Sequence, residues 1–100
     1  MQICQVIGHV WATKKEETLS GLKLMVVQDE TPEKMEFVAA DVVGAGIGER
    51  VLVVSGSTAR RALGRDETAA DCAIVGIIDS VEMERAKLTA KKASQVRAKG

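Results

Sequence analysis

Five short apolar segments, at residues 2–12, 22–28, 35–43, 50–55 and 72–78, are cut apart by polar or glycine-bearing stretches. They are rich in Val and Ile, which favours strands over helices. In the first, Cys4, Val6, Gly8, Val10 and Ala12 share one face by strict alternation, and Ile3, Gln5, Ile7, His9 and Trp11 share the other. Both faces are partly apolar, as suits a strand packed on a core and also on a neighbour. Residues 50–55 (RVLVVS) are an almost unbroken apolar run, which reads as burial on both faces. Pro32, the only proline, falls in the turn at 29–34, where its fixed φ and missing N–H do no harm. Residues 56–64 read as a short helix, capped by Ser57 or Thr58 and ended by Gly64.

Five strands with one small helix before the last predict an all-β fold: a closed, antiparallel, OB-like five-stranded barrel. Closure removes the open edges that so apolar a chain could not safely expose. A C-terminal helical tail follows. The domain reading is a barrel over residues 1–79 and a basic tail over 80–100. The tail is rich in helix formers, but an isolated helix of this length is marginal in water and needs a partner.

A chain of 100 residues makes one small domain with a thin core, yet 46% of it is hydrophobic and its mean hydropathy is +0.05. A subunit interface is the simplest place to bury the surplus. Trp11 and Phe37 are the only aromatic residues, a poor platform for stacking bases, and the net charge is zero, so no overall basic field gathers phosphates. Residues 1–80 carry 8 basic and 12 acidic groups, and residues 81–100 carry 6 and 2, so the tail opposes the body in charge. The N-terminus lacks a basic stretch before an apolar run, and no apolar run approaches the ~20 residues that span a bilayer. A cytoplasmic protein without membrane contact is expected.

Motifs for chemistry are thin. Gly44-Ala45-Gly46-Ile47-Gly48-Glu49 begins like a dinucleotide fingerprint, but Glu49 stands where the third glycine belongs and a strand, not a helix, follows. It reads instead as a tight turn that needs positive φ or close backbone approach. Ser55-Gly56-Ser57 with Arg60 and Arg61 could cradle an anion, cap a surface helix, or line an axial opening in a ring. Asp41, Glu49, Asp71 and Asp79 sit at strand ends with no spacing that selects a catalytic pair. Cys4, Cys72 and His9 make neither a zinc set nor a visible nucleophile–base pair, and both thiols read as buried hydrophobes. No catalytic residue, metal or cofactor is expected.

Several stretches together resemble the bacterial microcompartment vertex proteins of the EutN/CcmL type. They are Val6-Ile7-Gly8 with Trp11-Ala12-Thr13-Lys14, Lys23-Leu24, Ala40-Asp41-Val42-Val43-Gly44-Ala45-Gly46-Ile47-Gly48-Glu49, and Ala73-Ile74-Val75-Gly76-Ile77-Ile78-Asp79. The resemblance implies a barrel that assembles into homopentamers at the vertices of a polyhedral shell, beside hexameric shell proteins, without catalysis. On that reading Ile7, His9, Trp11, Asp41, Gly44, Gly46, Gly48, Glu49 and Arg60 are expected at the subunit interface, with Arg60 bridging to Asp41 or Glu49 of a neighbour. Ser55, Gly56 and Ser57 are expected at the axial opening. The alternative is a small barrel that binds single-stranded nucleic acid or an anion. The tail matches no motif of the family.

Overall fold

In the computed structural model, which describes residues 1–12, 14–65 and 67–81, the chain runs β1 (Gln2–Val10), a 3-10 turn (Glu17–Leu19), β2 (Lys23–Asp29), β3 (Glu36–Asp41), β4 (Arg50–Ser55), α1 (Gly56–Leu63) and β5 (Cys72–Ile77). The helix expected over the tail lies outside the described residues. None of the described helices is long and apolar enough to cross a membrane.

The strands close into a barrel in the order β1-β2-β3-β5-β4. Four seams are antiparallel, as expected, but β3 and β5 run parallel, joined through Ala40 opposite Ala73 and Asp41 opposite Ile74. Counting requires this. A closed ring with an odd number of strands cannot alternate direction all the way round, so at least one seam must be parallel.

Alternation places Cys4, Val6, Met25, Val27, Ala39, Val51, Val53 and Ile74 in the barrel interior, with Phe37 and Cys72 packed against them. Burying each of the larger side chains contributes about 1.5–3 kcal/mol. Helix α1 closes one flank by setting Ala59 on Val54 and Ala73. Ser55 is its N-cap residue, in place of the expected Ser57 or Thr58, and its side chain makes no capping hydrogen bond. The chain turns sharply into the helix at Gly56 (φ +62°), whose N–H donates to the Asp71 carbonyl at 2.8 Å. Gly64 ends the helix in the left-handed region, as expected.

One feature of β1 departs from simple alternation. Val6 lies opposite Val27, but Gly8 lies opposite Val26, so a bulge at Ile7 shifts the register. His9 then sits across from the buried Met25, and Ile7 and His9 do not share the face that a regular strand would give them.

Candidate subunit interface

The glycine-rich loop between β3 and β4 is built around Asp41, whose side chain is wholly out of water. Its Oδ1 accepts the N–H groups of Val43 and Gly44 at 3.0 and 3.1 Å, and its Oδ2 accepts that of Ala45 at 2.8 Å. Lys23, directly opposite on β2, brings its Nζ to 3.5 Å from Oδ2 and also donates to the Ala45 carbonyl at 3.2 Å. A buried carboxylate needs such a set of donors, and here the charge is met by three amides and a cation. Ala45 is thereby pressed into the core.

The second half of the loop is held as firmly. Gly46 N–H donates to Glu49 Oε1 at 2.6 Å. Gly48 N–H reaches the Val6 carbonyl at 2.8 Å, and Val6 N–H returns to the Glu49 carbonyl at 2.9 Å. Gly44 and Gly48 adopt φ of +80° and +95°, where a Cβ is strained, so the expected demand for positive φ holds at two of the three glycines.

This rigid loop displays Val42, Val43 and Ile47, the last 67% exposed. The sequence reading placed Val42 and Val43 inside a strand and gave Ile47 no role. The signal available was an aspartate followed at once by two β-branched residues and a glycine, a side-chain-capped strand end.

Just past the end of β1, Trp11 is 83% exposed and stacks on His9 with ring centroids 4.1 Å apart. The pair borders a shallow hollow of about 300 Å³ with Lys15 and residues 21–24. Ile7, at the bulge, is partly exposed.

Glu49 precedes β4 and Arg60 lies in α1, which follows it, so a strand of about 20 Å stands between them. Within one chain they do not meet, and a bridge between them needs two copies. Asp41 is a different matter. Its carboxylate is buried and already satisfied inside its own chain, which leaves it no free face for the bridge expected from Arg60. Ser55, Gly56 and Ser57 form an exposed strand-to-helix corner.

Neither thiol is activated as a nucleophile. Burial pushes the Cys4 thiol up to about 11, with the charges of Asp29 and Glu30 adding to it. Burial likewise raises Cys72, helped by Asp71. Cys4 and His9 are five residues apart along β1, about 16 Å, and the His9 ring is engaged by Trp11. Among the described residues no three His, Cys, Asp or Glu side chains gather as a metal site.

The family model described as ethanolamine utilisation protein EutN/carboxysome matches residues 1–79, the whole barrel. The chain belongs to the EutN/CcmL family. A EutN/CcmL relative, the bacterial microcompartment shell vertex protein GrpN of Rhodospirillum rubrum (strain F11), is 48% identical over 86 residues, covering 82% of this chain and 97% of its own. The carboxysome shell vertex protein CcmL of Synechocystis sp. is 43% identical over 96 residues, covering 92% of this chain and 96% of its own. A solved structure, the GrpN pentameric microcompartment shell protein from Rhodospirillum rubrum, aligns with a TM-score of 0.72 at 44% identity, covering 83% of this chain and 99% of that one. The loop from Asp41 to Glu49 therefore lies in the middle of the EutN/CcmL match, and the residues beyond 79 lie outside it.

Proposed function

We propose that this chain is a structural shell protein whose cyclic pentamers cap the vertices of a bacterial microcompartment in the cytoplasm. The observation that carries the reading is the Asp41-to-Glu49 loop, whose hydrogen bonds fix a backbone that holds Val42, Val43 and Ile47 in water. Rigid apolar display costs stability unless a partner covers it. A family whose relatives are named vertex proteins, one of them a pentamer, supplies a second copy as that partner. Each copy offers one surface and receives another, and a rotation that closes makes a ring. A flat hexagonal sheet closes into a shell only through fivefold points. The pentamer's rim therefore meets hexameric shell proteins.

The interface on this reading comprises Ile7, His9 and Trp11 on one side and the loop with Gly44, Gly46, Gly48 and Glu49 on the other. Arg60 bridges to Glu49 of the neighbour, and Ser55, Gly56 and Ser57 border the axial opening. The role is architectural and involves no reaction. The ligand-binding alternative draws no support from the outer face of β2 and β3. That is the face with which OB-type barrels read oligonucleotides, and here it presents Leu24, Val26, Gln28, Glu36 and Val38, with no aromatic residue.

The test is the mass of the native assembly. The wild-type protein is expected to run as five copies. Ile47→Asp, a substitution at an exposed position, is expected to raise the concentration for half-assembly at least about tenfold while leaving the denaturation midpoint of the separated subunit unchanged. A wild-type protein that stays a folded monomer at micromolar concentration defeats the proposal.

A further inference from the structure

Beyond the shell role, one groove is placed where the chain leaves the span of the family model. It has a volume of about 630 Å³ and runs between the start of β1, with Met1 and Ile3, and the β2–β3 turn, with Asp29 and Glu30. Val81, the last described residue, forms part of its wall. Two of its lining residues are exposed apolar side chains, Met1 at 84% and Val81 at 41%. Its walls carry Asp29 and Glu30 against Arg50, whose guanidinium holds both oxygens of Glu30 at 2.7 Å. The turn that Asp29 and Glu30 open adds Glu33 and Glu36 against Lys34, all exposed. The hydrogen bonds recorded for Asp29 among the described residues all fall on Oδ1, from Thr31 N–H, Thr31 Oγ1 and Met35 N–H, which leaves Oδ2 available.

Past Glu82 and Glu84, the chain leaving Val81 has the opposite character. From Arg85 onward residues 85–100 carry six basic groups and no acidic one. Arg85 is four residues beyond Val81, a reach of at most about 14 Å. We infer that residues 82–100 dock back along this groove of their own barrel, their basic side chains meeting the carboxylates of the 29–36 turn. The tail thereby covers Met1 and Ile3 and neutralises the acidic flank of the body.

Tryptic digestion of the assembled full-length protein reads this directly, because every basic residue of the tail is a cleavage site. At low salt, cleavage after Arg85 to Lys92 is expected to be slow in the wild type. It is expected to run about threefold faster or more in Glu30→Gln/Glu33→Gln, and in the wild type at about 0.5 M salt. Arg50→Gln removes a cation from the groove and is expected to slow it, an opposite sign that general loosening of the fold does not produce. Equal rates across these variants and salts overturn the proposal. Carbodiimide coupling on assemblies mixed from unlabelled and 15N-labelled chains decides whose tail it is. Links from Lys87, Lys91 or Lys92 to Glu30 or Glu33 within one isotope support it. Links only between isotopes overturn it, and give the groove to a neighbouring subunit's tail.

Discussion

Asp29 and Asp41 each end a strand and each use a carboxylate to hold the loop that follows, yet the two loops face the world differently. Asp29 accepts from Thr31 and from Met35 N–H, and the turn it fastens carries Thr31, Pro32, Glu33 and Lys34, polar and exposed. Asp41 accepts from Val43, Gly44 and Ala45, and its loop carries Val42, Val43 and Ile47. The device is the same, but its depth is not. Asp41 has no solvent contact through its side chain and relies on Lys23, whereas Asp29 lies at the surface. Depth makes the second loop a fixed part of the barrel, and a fixed loop is what an apolar display requires. A mobile one would fold its valines and isoleucine inward.

The comparison breaks most readily at the aspartates themselves. Asp41→Ala strands a partly buried lysine and removes the acceptor for three amides, that of Ala45 inside the core, and is expected to cost about 2–4 kcal/mol in urea denaturation. Because the loop loses its shape, the same variant is expected to lose the assembled species in native mass spectrometry. Asp29→Ala is expected to lower the urea midpoint less and to leave the assembly intact, since water replaces its contacts. Equal effects on both measurements for the two variants would mean that depth does not distinguish the loops.

A smaller effect separates the glycines within the Asp41 loop. Gly48 sits at φ +95° with open space around it, so Gly48→Ala adds no clash but forces a left-handed alanine, at about 1–2 kcal/mol. Gly46 has no positive φ, and a Cβ there meets Glu49 Oε1 at an ordinary 3.5 Å. Gly46→Ala is expected to unfold within error of the wild type. If the two variants have the same midpoint, the loop is softer than its hydrogen bonds imply.

Residues 50–55 and the helix beginning at Gly56 could be read directly, because an apolar run and a pair of bounding glycines are local signals. The bulge at Ile7 could not be read, since one extra residue leaves the pattern of residue types unchanged while reversing what lies beyond it. The end of β3 was misjudged for a related reason. Val42 and Val43 have strand-forming side chains, but the carboxylate of Asp41 takes the N–H of Val43 that a ladder would use. The pairing of Lys23 with Asp41 depends on the register of two strands and is invisible to spacing along the chain. Which valines end in water is likewise decided by the closed barrel, not by the valines. The bridge proposed from Arg60 rests on the resemblance, and the depth of Asp41 leaves Glu49 as its proposed partner.

The surface turn offers the finest test, through pH. The hydroxyl of Thr31, then the amides of Thr31 and Met35 and the charge of Lys34, hold the Asp29 carboxyl below its ordinary value of 3.8. A depressed folded-state pKa stabilises the fold above the unfolded value and loses that contribution as pH falls through the folded one. The contribution of Asp29 is therefore complete above about pH 5 and fades below about pH 4. Wild type and Asp29→Asn, compared by their urea midpoints from neutral pH downward, are expected to differ by a constant amount near neutrality and to converge in acid. The hydrogen bond between Arg50 and Glu30 lowers the Glu30 carboxyl in both proteins, so it cancels from the difference. A gap that persists unchanged to the lowest pH would show that the Asp29 turn is held by its backbone alone. The two aspartates would then share a position at the ends of strands, and nothing more.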